Sequence, residues 1–186
     1  MKIYTKKGDQ GSTSLYRGGA TSKASARIAA IGDVDELNCH IGLIVTLVND
    51  NETTPLLQRI QNDLFDIGAD LATIRKNDKD NKAAGSFKMG SEAILETQID
   101  FMVDQLDPLT SFILPGGSAS ATTVHLARAV CRRAERTVVN LASNDQVSPS
   151  VIIYLNRLSD YLFTLARFQN KIEGVEEVKW QSSHID

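Results

Sequence analysis

The sequence predicts an all-α protein, a bundle of five helices in an up-down arrangement, on three observations. Apolar residues recur at spacings of three and four through most of the chain. No stretch alternates convincingly with period two, apart from a short KIYTK at the start. Polar segments and Pro/Gly breaks divide the periodic regions into five. In order, residues 1–22 are rich in Gly, Ser, Thr and Lys and read as an ordered or ligand-ordered loop. From Lys23 to Asn49 a first helix follows the stripe Ile28, Ile31, Val34, Leu37, Ile41, Ile44. Pro55 suits the first turn of a second helix carrying Leu56, Ile60, Leu64, Ile67 and Leu71. Residues 74–90 are polar and form a loop. Ser91 is placed to cap a third helix with Ile94, Leu95, Ile99, Met102 and Leu106 inward. DPLTSFILPGG ends it. The fourth helix spans Ser118 to Ser143, and Ser148–Pro149 opens a fifth that ends near Ile172. The tail is polar apart from Trp180 and is expected to have little order. The chain is read as a single domain, 1–186, made of the loop 1–22, the bundle 23–172 and the tail 173–186.

Composition narrows the function classes. With 186 residues the chain can bury a sizeable core, and 42% hydrophobic with 23% charged residues is ordinary for a soluble globular protein. The net charge of −3 gives no overall pull toward nucleic acid or anionic membrane. Cys39 and Cys131 lie far apart inside apolar patterns and read as buried reduced thiols. No apolar run reaches the ~18 residues of a membrane span, and the N-terminus lacks the apolar core of a signal peptide. A cytoplasmic protein fits, with an organelle matrix as the other compartment.

Against that charge, HLARAVCRRAER (125–136) is unusual. On a helical wheel with Arg128 at 0°, Arg132 falls at about 40°, His125 at about 60°, Arg136 at about 80° and Glu135 at about 340°. Arg133 stands apart near 140°. A surface stripe usually mixes Lys with Glu, whereas arginine alone favours bidentate recognition of phosphate or carboxylate. NRLSDYLFTLAR repeats the theme, with Asn156, Asp160, Phe163 and Arg167 on one stripe. The expectation is that this stripe faces the arginine stripe, with Asp160 orienting Arg167 or an arginine of the fourth helix. TKKGDQGSTSLYRGG adds Lys6, Lys7, Arg17, hydroxyls and glycines, a composition suited to a polyphosphate, although it is not a P-loop.

YTKKGDQGSTSL, GDVDELNCHIG, FILPGG, HLARAVCRRAER and NRLSDYLFTLAR, in this order and spacing, resemble the PduO-type ATP:cob(I)alamin adenosyltransferases over residues 2–172. The resemblance implies a ferritin-like five-helix bundle, assembled as a homotrimer with active sites between subunits. It implies that ATP is the co-substrate and cobalamin the substrate. ATP is bound by Thr5, Lys6, Lys7, Gly8, Thr13, Ser14 and Lys23 of one subunit. The run Arg132, Arg133, Ala134, Glu135 and Arg136, with Asn156, completes the nucleotide site. Arg128 is implied to pair across the interface with Asp35, and these two with Arg132 carry the catalytic role. Phe112 is implied to displace the lower axial ligand of cob(II)alamin, with Phe163 in the same corrinoid pocket. Cob(I)alamin attacks the 5′-carbon of ATP and triphosphate leaves. Mg²⁺ is held mainly by phosphates, since no Asp/Glu cluster forms a cage and no protein metal ligand is assigned. Implied partners are a reductase or an adenosylcobalamin-dependent enzyme, with no nucleic acid and no membrane.

Three other functions compete. An arginine-rich helical bundle binding RNA or another polyanion is the alternative, opposed by the acidic total. A di-iron bundle needs two Glu-x-x-His motifs, and Glu36 and His40 have the wrong spacing. A purely structural bundle predicts no protection by ATP.

Overall fold

Serines and prolines set where the helices start. The computed structural model describes residues 2–48, 50, 52–74 and 87–182. A hairpin of β1 (Ser12–Leu15) and β2 (Gly19–Ser22) precedes α1 (Ala26–Leu47), α2 (Thr53–Leu71), α3 (Ala93–Val103), α4 (Ala119–Ala142) and α5 (Pro149–Ile172). Ser25 caps α1 by accepting from the Ile28 N–H at 3.4 Å, and Ser118 caps α4 through the Ala121 N–H at 3.2 Å. Pro55 lies in the first turn of α2 and Pro149 is the first residue of α5. The missing proline N–H costs nothing there, because first-turn donors lack helical acceptors anyway.

The expected stripes meet in one core. α4 packs against both α1 and α5, α2 against α1, and α3 against α5. Ala127, Cys131 and Ala134 give α4 a slim buried face against Leu155, Leu158 and Leu162 of α5. Small residues on one side and leucines on the other let the two longest helices approach closely. Several buried polar groups are satisfied between segments. The Tyr154 hydroxyl donates to Asp63 at 2.8 Å, Asp70 accepts from the Phe87 N–H at 2.7 Å, and Arg27 reaches Asp145 and the Leu71 carbonyl.

Several expectations are corrected. Part of the N-terminal segment is an antiparallel hairpin, Ser12 opposite Ser22 through Leu15 opposite Gly19, so the fold is mainly rather than wholly helical. Both strands are polar on both faces and bury only Leu15, so no period-two pattern could show. KIYTK, conversely, is not a strand. The hairpin holds by its connection: the Arg17 N–H donates to the Ala72 carbonyl and Ile74 N–H to Arg17. Ser91 does not cap α3; its hydroxyl donates to the Lys88 carbonyl, and the residue before the helix is Glu92. Cys39 is exposed, whereas Cys131 is buried as expected. Most of the 74–90 loop lies outside the described residues. Against the expectation of little order, the described part of the tail, residues 173–182, docks on the loop before α4.

That loop is fixed by one asparagine. Asn170 donates to the Gly116 carbonyl at 3.0 Å and accepts from the Ser118 N–H at 2.9 Å. Gly117 lies between them at φ 113°, and a Cβ there would overlap the Asn170 amide. Only glycine meets both demands.

Candidate active site

The N-terminal turns bring a lysine back onto glycine. Asp9 N–H donates to Lys6 at 3.4 Å and Gly11 N–H to Gly8 at 3.2 Å. Lys6 adopts φ 61°, the only positive φ at a non-glycine among the described residues. Strain of this kind concentrates at functional positions. Lys23 N–H then donates to the Gly11 carbonyl at 2.8 Å, which folds the approach to α1 over the turn. A Cβ on Gly8 would stand 3.0 Å from Lys23 Nζ, so the ammonium sits against glycine backbone. Thr13, Ser14, Lys23 and Asp35 line one cavity of about 670 Å³ between the hairpin, α1 and α2, with Ile31 and Phe65. Thr5, Lys6 and Lys7 are exposed outside its lining.

On α4 the arginines separate as the wheel separated them. Arg133 turns to α1, where it pairs with Glu36 and lies 3.7 Å from Asp33. Thr137 strengthens that seam by donating to Asp33 at 2.6 Å. Arg132 and Arg136 are exposed and form no ion pair among the described residues. Arg128 is half-buried, and its Nε is buried with no hydrogen-bond partner among the described residues. Burial, then repulsion from Arg132, lowers its pKa from the ordinary arginine value. No ion pair links Arg128 to Asp35 within the chain. Ala134 is fully buried in the core and offers no side chain to a ligand.

The α5 stripe meets α4, with two changes. Asn156 donates to Glu135 at 3.0 Å, joining two expected nucleotide-site residues. His125, expected on the polar face, is only 3% exposed and sits 6.1 Å from the Phe163 ring. Neither of its nitrogens has a partner among the described residues, and burial followed by Arg128 lowers its pKa. Asp160 orients neither Arg167 nor an α4 arginine. It pairs with Arg157 at 3.2 Å, and Arg157 also reaches Glu96 on α3 at 2.9 Å. Arg167 instead holds the tail through Glu177 at 2.9 Å and the loop through the Asp107 carbonyl at 2.9 Å.

Phe112 is 80% exposed at the tip of the loop before α4. Its ring meets Trp180 edge-on, with centroids 6.2 Å apart. These two, with Ile113 and Leu114, border a shallow cavity of about 330 Å³. Sequence reasoning missed Glu177 and the pairing of Trp180. The available signal was the single tryptophan of the chain, isolated in a polar tail. Among the described residues no group of three or more His, Cys, Asp or Glu is placed to hold a metal ion.

This assembly matches a known family along nearly its whole length. A family model described as cobalamin adenosyltransferase matches residues 3–169. The corrinoid adenosyltransferase of Bacillus subtilis is 43% identical over 189 residues, covering 100% of this chain and 95% of that protein. The human corrinoid adenosyltransferase MMAB is 44% identical, covering 95% of this chain and 72% of that protein. Among solved structures, a variant PduO-type ATP:corrinoid adenosyltransferase from Lactobacillus reuteri, complexed with cobalamin and ATP, superposes with a TM-score of 0.91. It has 38% identity, and the match covers 97% of this chain and all of that one. With matches of this identity and extent, the chain belongs to the cobalamin adenosyltransferase family.

Proposed function

We propose that this protein transfers the 5′-deoxyadenosyl group of ATP to cob(I)alamin, giving adenosylcobalamin and triphosphate. One observation carries the nucleotide half of this reading. Lys23 lies against the Gly8 turn and shares a cavity wall with Thr13 and Ser14. An ammonium, hydroxyls and glycine backbone in one place suit a polyphosphate. The cobalt lone pair attacks the 5′-carbon, the carbon–oxygen bond breaks, and its electrons leave on the triphosphate. No proton is removed from the nucleophile, so no general base is needed. The protein positions the reactants and neutralises charge growing on the leaving group. Lys6, Lys7 and Lys23 with Arg132 and Arg136 are the cations for that task. Mg²⁺ suits a site of this kind when phosphate oxygens and water supply most of its ligands.

The complete site is read as lying between subunits of a homotrimer. Two features support this. Arg128 is half-buried and has no carboxylate partner among the described residues, an arrangement that is costly unless another group meets its guanidinium. Asp35 is exposed at the wall of the nucleotide cavity, a carboxylate with no partner among the described residues and of the right charge to meet that arginine. Asn156 and Glu135 extend the nucleotide surface, while Phe112 and Phe163 provide the corrinoid side. Arg133 and Ala134, tied to α1 and the core, act as support for Arg132. A cytoplasmic setting is the reading for the chain, with a reductase or an adenosylcobalamin-dependent enzyme as protein partner. The polyanion-binding alternative finds no support in the family.

The test is spectroscopic. ATP and chemically reduced cobalamin are mixed with the protein, and adenosylcobalamin and triphosphate are followed. Both must appear in equal amounts and depend on protein. Absence of either product refutes the reading.

A further inference from the structure

We propose that Trp180 is a positioning residue for the corrinoid step, acting through Phe112; this rests on the corrinoid reading of the preceding section. The tail and the loop before α4 pair as two short antiparallel segments. Trp180 N–H donates to the Phe112 carbonyl at 2.8 Å, and Leu114 N–H to the Val178 carbonyl at 2.8 Å. Ile113 and Lys179 form the bridge between those bonds. This register sets Trp180 directly opposite Phe112, a placement in which cross-strand side chains interact. Their rings meet at 81° with centroids 6.2 Å apart.

The contact matters because no other ring meets Phe112 among the described residues. Its side chain is 80% exposed, and Trp180 is its one ring partner among the described residues. An exposed phenylalanine on a loop divides its time among staggered rotamers. A ring that must enter the lower face of a corrinoid works only in the rotamer that points there. Trp180 restricts that choice. The tail carrying it is itself anchored, since Glu177 takes both Nε and Nη2 of the buried Arg167. The same arginine holds the Asp107 carbonyl, so the loop and the tail share one buried post. Trp180 is thus presented by a fixed strap, and it is the only tryptophan in the chain.

An edge-on aromatic pair shifts a two-state population about 2- to 12-fold. The experiment uses the full-length protein with ATP and cob(II)alamin, and reads the fraction of bound corrinoid in the four-coordinate state from its absorption and paramagnetic resonance spectra. Trp180→Ala should lower the ratio of four- to five-coordinate corrinoid, and with it that fraction, the ratio falling about 2- to 12-fold. Trp180→Phe, which keeps an aromatic edge, should restore most of it. Turnover of pre-reduced cob(I)alamin, which needs no displacement of the lower ligand, should fall less than that fraction in Trp180→Ala, and an equal fall in both would overturn the proposal. Val178→Ala trims the strap while leaving its backbone bond to Leu114, and should leave the four-coordinate fraction unchanged. An undiminished fraction in Trp180→Ala overturns the proposal. So does an equal loss in all three variants, which would make the strap structural only. If the unsubstituted protein forms no four-coordinate species with ATP, the corrinoid reading itself falls, and this role with it.

Discussion

Replacing Gly117 with alanine tests how the loop bearing Phe112 is held. The position has φ 113°, where a Cβ is strained by about 1–3 kcal/mol. The new methyl also overlaps the side-chain amide of Asn170, which is 2% exposed. That amide must rotate away, leaving the Ser118 N–H and the Gly116 carbonyl without partners. A buried polar group that loses its bond costs about 1–3 kcal/mol. With water partly rescuing the freed groups, the two effects sum to about 2–6 kcal/mol, a large share of the ~5–15 kcal/mol that stabilises a typical domain. Denaturant unfolding at one fixed protein concentration measures the loss. The decisive comparison is the same substitution in an Asn170→Ala background, where the overlapping atoms are gone. There Gly117→Ala should cost only the backbone strain, so the two changes should couple by about 1–3 kcal/mol. A cost below about 1 kcal/mol in the unsubstituted background, or equal costs in both, would refute the reasoning.

Three further outcomes follow from the site and the core. Arg132→Ala should slow adenosyl transfer about 10²-fold or more, because the leaving triphosphate loses a charged donor; near-normal turnover would remove Arg132 from the site. Asp35→Asn should weaken subunit association, read by sedimentation, and lower turnover together; an unchanged assembly and rate would separate Asp35 from Arg128. His125 gives a pH signature. Its folded pKa lies below the ordinary 6.5, so the unfolded chain binds its proton more readily. Its contribution is therefore fully present above pH 6.5 and is lost as pH falls through the folded pKa, with a slope of at most about 1.4 kcal/mol per pH unit. His125→Phe should flatten that part of the stability profile, and an unchanged acid slope would show that other groups cause it.

The helices were legible because each writes its buried stripe into neighbouring residues at spacings of three and four. Ile60, Leu64, Ile67 and Leu71 identify their shared face without knowledge of what covers it, and all four prove buried. The same logic separated Arg133 from Arg132, and the ion pairs to Glu36 and Asp33 explain the separation. What failed to show were pairings between distant segments. β1 and β2 bury one residue, so they leave no alternation to detect; their place depends on Arg17 meeting Ala72. His125 sat on the polar arc of the wheel, but a wheel cannot see Phe163 of another helix arriving to cover it. Periodicity along α5 offers Asp160 to Arg167 or to an arginine of α4, whereas Glu177 in the tail takes Arg167 and Arg157 takes the aspartate.

These misses bear on how the site is divided. Asn156 and Glu135 join across α4 and α5, and Arg133 fixes α4 to α1, so the helix carrying Arg132 is braced on two sides. Arg132 and Arg136 extend from that braced surface with no carboxylate to neutralise them among the described residues. Two adjacent arginines repel one another, and a fold that keeps them unpaired loses stability it could have gained by placing a glutamate nearby. Glu135 is near enough in sequence to serve, yet its carboxylate is engaged by Asn156. Withholding that counter-charge preserves a patch whose natural partner is a polyanion. The Gly8 turn shows the complementary economy, with Lys23 seated against glycine backbone. A salt titration of ATP affinity reads this directly. Binding should weaken steadily with ionic strength in the unsubstituted protein, and less steeply once Arg132 is replaced by alanine. Equal salt dependence in both would mean that the arginine stripe does not meet the phosphates.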